Sequence, residues 1–119
     1  FADDVVTAPT KIQQIFDRVD HACLVGHTHV QGLFTDEPDF YPPDEFNNAY
    51  KFNQWEKVVM NVGSVGQPRD RDPRAAYGVL YEDRMEFIRL EYDIDAVIAK
   101  INAIPEINDF FGQRLLDGR

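Results

Sequence analysis

The chain has 119 residues, 44% of them hydrophobic, and carries 12 basic against 21 acidic residues, which gives a formal net charge of −9. This length and composition are typical of one compact domain, and the negative field disfavours a nucleic-acid duplex as a partner, because such binding depends on Lys and Arg neutralising phosphates. No apolar run approaches the roughly 18 residues of a membrane span, and the single cysteine, Cys23, favours a reducing, cytoplasmic location.

The sequence predicts a first helix over residues 7–19. Thr10 is the expected N-cap, because a threonine hydroxyl can accept a hydrogen bond from a free backbone N–H group at the start of a helix. Apolar residues then recur at helical spacing, at Ile12, Ile15, Phe16 and Val19. The helix should therefore present one apolar face.

Strands and a long loop follow this helix. Residues 22–26 form a short apolar run that ends at a glycine, which is typical of a buried strand, and residues 30–34 predict a second strand. Residues 35–49 combine prolines with acidic and amide residues, so they predict a loop with a helical turn after Pro43. Residues 57–63 predict another strand that leads into a glycine-containing turn.

The rest of the chain predicts a hairpin and two helices. Residues 63–74 predict a long connection, and the apolar runs on either side of residues 82–84 predict a β-hairpin. A helix capped by Asp93 should follow, and a second helix is predicted from Pro105 to Gly118. Strands followed by helices predict an α+β or layered α/β class.

Two of the three histidines, His27 and His29, lie directly after the first predicted strand. In an extended segment, residues i and i+2 point the same way, so both imidazoles can reach one place. A loop that follows a strand ending at Gly26 also lies at the carboxyl edge of a sheet, where α/β proteins build their sites. Imidazole is a common ligand of zinc, manganese, iron and nickel. The pair is therefore a candidate for metal binding, although His-x-His alone is also compatible with two unrelated surface or core histidines.

A zinc site built from this part of the chain alone is short of ligands, because a catalytic zinc takes three protein ligands and a structural zinc four. His21 and Cys23 are the nearest further candidates. Cys23 lies inside the apolar run, where it is interpreted as a small buried hydrophobic residue. His21 lies at the junction of helix and strand, where it is interpreted as a loop residue. The sequence therefore argues against a local four-ligand zinc site.

Residues 23–32, CLVGHTHVQG, are followed by residues 60–80, MNVGSVGQPRDRDPRAAYGVL. This combination resembles the C-terminal half of a calcineurin-like metallophosphoesterase. The resemblance is to the bacterial and archaeal branch of phosphodiesterases, protein phosphatases and diadenosine tetraphosphatase-like proteins. It covers roughly residues 10–92, and the helical tail also fits it.

The resemblance implies a four-layer αββα fold, with helices outside two packed β-sheets, and a pair of divalent metal ions (Mn, Fe, Zn or Ni) at the sheet edges. His27 corresponds to a ligand of one metal and His29 to a ligand of the other. Such a pair holds a hydroxide for in-line attack on phosphorus and neutralises the charge that develops. The implied substrate is a phosphomonoester or phosphodiester, either a phosphorylated small molecule or a phosphoprotein.

The resemblance implies supporting roles for four further residues of these motifs, namely Gly26, Asn61, Ser64 and Arg69. The glycine ends the strand before the histidines. The other three lie in the stretch that runs beneath or beside the site, and they are interpreted as holding the histidine loop in place. For Arg69, the alternative is an exposed charge paired with Asp70 or Asp72.

The motifs that precede this segment in the family are missing: Asp-x-His, Gly-Asp-x-x-Asp, Gly-Asn-His-Asp/Glu and an isolated His-Gly. The bridging aspartate and the asparagine ligand are therefore missing too. We expect residues 1–119 to be a single partial domain, the C-terminal portion of a metallophosphoesterase domain without its N-terminal metal-binding half. A start at Phe1 agrees with a fragment or a processed product. Val62 and Arg71 stand where many relatives carry Pro and Gly, which should affect turn geometry.

These residues support two functional hypotheses. In the first, the chain is the C-terminal segment of a dinuclear metal-dependent phosphoesterase that is active as the intact parent. The segment alone is then inactive and holds the two metals partially or not at all. In the second, the chain is a non-catalytic fragment or binding domain that pairs with a partner, or forms a homo-oligomer through exposed sheet edges.

Overall fold

A computed structural model describes residues 8–37 and 39–119, apart from the side chain of Pro9. Thr7, the expected first residue of the first helix, lies outside the described residues. The helices are α1 (Pro9–Phe16), α2 (Ile94–Asn102) and α3 (Phe110–Gln113), with 3-10 helices at Pro43–Phe46 and Arg114–Asp117. The strands are β1 (Ala22–Val25), β2 (Gln31–Thr35), β3 (Phe40–Tyr41), β4 (Ala49–Lys51), β5 (Val58–Val62), β6 (Ala75–Leu80) and β7 (Arg84–Leu90).

The strands form two sheets. Sheet A has the order β1-β5-β2-β3, and sheet B has the order β4-β7-β6. In sheet A, β1 runs parallel to β5, with Ala22 opposite Val58 and Val25 opposite Asn61, whereas all other pairs are antiparallel. Because parallel strands end at the same edge of a sheet, the loop after β1 and the turn after β5 lie side by side.

The core lies on both faces of β5, because successive side chains of a strand point to opposite faces. One face contributes to a buried cluster between the two sheets, made of Leu33, Val58, Met60, Met85 and Phe87. The other face contributes Val59 to a cluster with Ile12, Phe16 and Val19 of the α1 region. Helix α1, sheet A and sheet B are therefore successive layers, and the predicted α+β class is confirmed.

Residues 22–26 were expected to form a buried strand, and the expected burial is wrong. The strand forms as β1, but at an open edge of sheet A, where Leu24 and Val25 are 49% and 37% exposed. Leu24 and Val25 belong to a surface that the described part of the chain leaves open, whereas Cys23 is partly buried.

The predicted N-cap of the first helix is also wrong. Helix α1 begins at Pro9 and Ala8 occupies the cap position without a side-chain hydrogen bond, so Thr10 lies inside the helix. Proline favours the first helical turn because its fixed φ suits the helix and it has no N–H to leave unsatisfied.

Helix α2 has the predicted cap, since the Asp93 carboxylate accepts a hydrogen bond from Ala96 N at 2.9 Å. The helix expected from Pro105 begins five residues later, at Phe110. Asn108 Oδ1 accepts from Phe110 N at 2.9 Å, and this local bond competes with helical pairing in the preceding turns. The last 3-10 helix ends at Gly118, as predicted, and this glycine adopts a left-handed conformation.

The segment 35–49 is more structured than the predicted loop. It contains β3 and the start of β4, and the expected helical turn after Pro43 is the 3-10 helix there. The hairpin around residues 82–84 forms from β6 and β7. None of the described helices has the length and apolar character needed to cross a membrane.

Candidate metal-ligand loop

The residues between β1 and β2 form a tight loop that contains both candidate metal ligands. His27 and His29 adopt left-handed backbone conformations, with φ of 77° and 62°. The expectation that this segment is extended, with both side chains pointing the same way as on a strand, is therefore wrong. A left-handed backbone costs a residue other than glycine roughly 1–2 kcal/mol. Strain of this kind is concentrated at functional sites.

Thr28, between the two histidines, closes the turn. Its backbone N donates to Gly26 O at 3.0 Å, and its Oγ1 accepts from Val30 N at 3.4 Å. Sequence reasoning missed this residue. The signal was available, because serine and threonine hydroxyls commonly bond to the backbone two residues further on.

Asn61, at the end of β5, joins that strand to the loop. It is 2% exposed, and its Nδ2 donates to Gly26 O at 3.1 Å and to Thr28 Oγ1 at 2.7 Å. Its Oδ1 accepts from Gly63 N at 2.9 Å. Since each buried polar group left without a partner costs about 1–3 kcal/mol, these bonds fix the loop against β5. The effect of Asn61 on metal binding stays a prediction.

The ring of His29 is half-buried and is oriented by the connection formed by residues 63–74. His29 Nδ1 lies 2.8 Å from Gln67 O. A carbonyl oxygen can only accept, so the proton of the neutral ring lies on Nδ1 and Nε2 keeps its lone pair. Arg69 N also donates to His29 O, at 3.1 Å. Metal-ligating histidines use the same arrangement, in which a carbonyl on one ring nitrogen fixes the tautomer and the other nitrogen binds the metal.

Ser64 and Gly63 shape this connection. Ser64 Oγ accepts from Gln67 N at 3.0 Å, which holds the turn that presents Gln67 O to His29. Gly63 has a φ of 82°, and a Cβ there would lie 2.6 Å from Ala76 Cβ. Both the backbone conformation and the available space therefore favour glycine at position 63.

The alternative role of Arg69, an ion pair with a neighbouring aspartate, does not form among the described residues. Asp70 pairs with Arg89. Asp72 pairs with Arg74 at 2.6 Å, and the hydrogen bonds from this guanidinium hold the pKa of Asp72 below its ordinary value. The Arg69 guanidinium instead donates, at 2.8 Å, to the side-chain oxygen of the glutamine two residues earlier.

The surface around Gly26 is open. A Cβ built at Gly26 would meet no atom within 4 Å, and His27 beside it is exposed. A cleft of about 170 Å³ lies between the loop and α1, with Thr28 and Asn61 among its lining residues. Packing within the described residues does not explain a glycine at this position.

The donors in the loop fit part of a metal site. Over residues 8–37 and 39–119, no group of three or more His, Cys, Asp and Glu side chains is arranged to hold a metal ion. Cys23 packs against the α1 cluster as a small hydrophobic residue, but it is only partly buried and not buried as predicted. What remains is His29, with its tautomer fixed by a carbonyl, and His27 two residues away on the same strained loop.

No protein-family model matches the chain. Over 115 residues it is 32% identical to the uncharacterized protein MJ0912 of Methanocaldococcus jannaschii, a match that covers 93% of this chain and 44% of that protein. The crystal structure of a metallophosphoesterase from Sphaerobacter thermophilus is similar, with a TM-score of 0.70 and 30% identity, over 82% of this chain and 42% of that chain. The chain thus spans less than half the length of both relatives, and its mixed α+β architecture fits a part of the metallophosphoesterase fold.

Proposed function

We propose that the chain is the C-terminal portion of a dinuclear metal-dependent phosphoesterase, in which its Gly-His-Thr-His segment provides ligands to two divalent cations. The observation that carries the proposal is the hydrogen bond from His29 Nδ1 to Gln67 O, because it leaves Nε2 to bind a cation. The likeness to a metallophosphoesterase at 30% identity supports it. The motifs favour the bacterial and archaeal branch of phosphodiesterases, protein phosphatases and diadenosine tetraphosphatase-like proteins.

His27 and His29 would each bind one cation, of Mn, Fe, Zn or Ni, and the remaining ligands would come from residues outside this chain. When bound, such cations activate water for attack on phosphorus and offset the charge that develops on the phosphoryl oxygens. The chain's own residues orient the ligands: Asn61 holds the loop and Gln67 O holds the ring proton on Nδ1. The loop is therefore preorganised before a cation arrives.

The substrate class we propose is a phosphomonoester or phosphodiester, carried by a small molecule or by a phosphoprotein. The formal net charge of −9 repels such anions, and bound cations reverse the local sign of the field where the substrate binds. Activity should therefore depend on added metal. Cys23 is the single cysteine of this chain, which favours a reducing, cytoplasmic setting.

Hydrolysis by the complete natural protein that contains this chain tests the proposal. With added manganese and a chromogenic nitrophenyl phosphodiester, His27→Ala and His29→Ala should each lower kcat/KM on the order of 100-fold or more, because they remove direct ligands. His21→Ala is the matched control, since this exposed histidine precedes β1. Full activity in both loop variants would overturn the proposal.

The exposed edge strand β1 favours a second candidate function, a non-catalytic segment that pairs with a partner or with itself. Leu24 and Val25 are exposed there and no charge interrupts the strand, so its backbone groups are available to another strand. In the first proposal the rest of the parent protein covers β1; in the second a separate chain covers it. Whether self-association persists in the complete protein distinguishes the two.

A further inference from the structure

Asp70, in the connection formed by residues 63–74, binds to both β2 and β7. Its Oδ2 accepts a hydrogen bond from Gln31 N, at the start of β2, at 3.2 Å. The same oxygen pairs with Arg89 Nη2 on β7. Both side chains of the pair are largely buried, with 14% of Asp70 and 15% of Arg89 exposed. Asp70 Oδ1 is buried and has no hydrogen-bond partner among the described residues.

Arg89 reaches both ends of the segment 70–74 with one guanidinium. Besides its pair with Asp70, its Nη1 donates to Arg74 O at 3.3 Å, and its Nε lies 3.9 Å from Asp72 Oδ2. The planar, forked guanidinium can hold these acceptors at once in a fixed geometry, which the single ammonium of lysine cannot do.

A buried ion pair is a weak source of stability, because desolvation of the two charges offsets their attraction. Here the unpartnered Asp70 Oδ1 adds a further cost. The better-attested use of such a pair is to specify one arrangement of the chain. The question is therefore which arrangement the Asp70–Arg89 pair specifies.

The residues just before Asp70 contact His29. Gln67 O accepts from His29 Nδ1, Arg69 N donates to His29 O, and Asp70 accepts from the backbone of Gln31, two residues after the histidine. Residues 67–70 thus hold this part of the chain at three points, two on His29 and one on Gln31. A shift of Asp70 would move Gln67 O away from the imidazole.

We propose that Asp70 and Arg89 are positioning residues, which fix residues 67–70 so that Gln67 O holds the proton of His29 on Nδ1. The part of this inference that concerns cation binding rests on the proposed function. The part that concerns the ring tautomer does not, because the hydrogen bond belongs to the chain itself.

Nuclear magnetic resonance of the ring nitrogens of His29 tests the inference in the metal-free complete protein. The unaltered protein should show one tautomer with the proton on Nδ1. In Arg89→Met this preference should be lost, and the affinity for manganese should fall about 10- to 100-fold, the usual effect of removing a group that orients a ligand. Arg89→Lys should restore part of both.

Arg84→Met is the matched control, because Arg84 lies on the same strand and pairs with Asp83 and Glu86 away from the loop. If Arg89→Met and Arg84→Met leave the tautomer and the manganese affinity equally unchanged, the inference is wrong. Should Arg89→Met lose its cooperative thermal unfolding, Asp70→Asn is compared with Asp83→Asn by the same two readouts.

The design also separates this inference from the proposed function. A His29 tautomer that depends on Arg89, in a protein whose His29→Ala variant binds manganese normally, supports the positioning role and refutes the metal site. A tautomer independent of Arg89, with manganese affinity lost in His29→Ala, refutes the positioning role and leaves the metal site intact.

Discussion

Five residues other than glycine adopt a left-handed backbone in the part of the chain that the structure describes, and three of them lie in the two segments that form the candidate site. His27 and His29 lie in the loop after β1, and Arg71 lies in the 63–74 connection. The other two are asparagines, whose short polar side chains compensate this conformation locally. At His27, His29 and Arg71, contacts with surrounding residues must stabilise the left-handed conformation.

Arg71 gives a direct test of this strain. Its φ is 70°, and many members of the metallophosphoesterase family that the chain resembles carry glycine at this position. Arg71→Gly should raise the free energy of unfolding by up to about 1.5 kcal/mol, because roughly 1–2 kcal/mol of strain is relieved against a roughly 0.5–1 kcal/mol entropic cost of glycine. Chemical denaturation measures the change. Arg71→Ala keeps a Cβ and should give no gain; an equal gain would contradict this account.

Sequence reasoning could name candidate site residues but not their contacts. Residue type and spacing point to His27 and His29 as candidate ligands, whereas Asn61 was indicated only by the family resemblance. Gln67 orients His29 through a backbone carbonyl, which any residue type possesses, so its identity carries no signal. Asp70 pairs with Arg89, which lies far away in the sequence on β7. Arg69 and Arg71 are its sequence neighbours and look like nearer partners, so the sequence alone does not reveal this pair.

At the scale of elements, prediction from the sequence succeeded where a strand packs against other elements of this chain. β5 contributes to core clusters on both of its faces, and its apolar run was predicted as a strand. The similar apolar run of β1 lies at the edge of sheet A. Apolar composition indicates that a strand is to be covered, but it does not say whether the covering residues belong to this chain. β4 has three residues and depends on pairing with β7, so no local pattern predicted it.

Tyr50, on β4, leads to a prediction for alkaline pH. Its hydroxyl donates to Glu56 Oε2 at 2.5 Å, and burial, together with this acidic partner, raises the pKa of Tyr50 above its ordinary value of 10.0. The folded state therefore keeps a proton that the unfolded chain releases. Stability from this group is intact below about pH 10 and is lost as the pH rises further.

Urea denaturation between about pH 9 and pH 11 measures this effect as the slope of the free energy of unfolding against pH. Tyr50→Phe should flatten the slope, because it removes the titrating group. Tyr81→Phe is the control, since Tyr81 is 40% exposed and lies directly after β6. Identical slopes in the two variants would show that Tyr50 is not responsible.

At the scale of the whole molecule, the described chain leaves one side of sheet A open. Edge strands in soluble proteins are usually protected by charges, proline or a covering element, and β1 consists of Ala, Cys, Leu and Val. The two relatives are more than twice as long as the matched segment, which covers 44% and 42% of them. The open edge and the incomplete ligand set are both explained if the rest of a longer protein packs against β1 and the histidine loop.

The isolated chain should therefore self-associate through β1 as its concentration rises. Leu24→Lys should reduce this association, because an added charge on an edge strand opposes pairing. Leu116→Lys is the matched control, since Leu116 is similarly exposed, at 47%, but lies in the C-terminal 3-10 helix. Sedimentation velocity measures the change. Equal association of the two variants would exclude β1 as the contact.

The metal content of the complete natural protein tests the central claim most directly. After loading with manganese and removal of the excess, elemental analysis should find two metal ions per chain in the unaltered protein and in His21→Ala. His27→Ala and His29→Ala should each retain fewer, because each removes a ligand of one cation. If both loop variants keep the full metal content of the unaltered protein, the Gly-His-Thr-His loop is not a metal site.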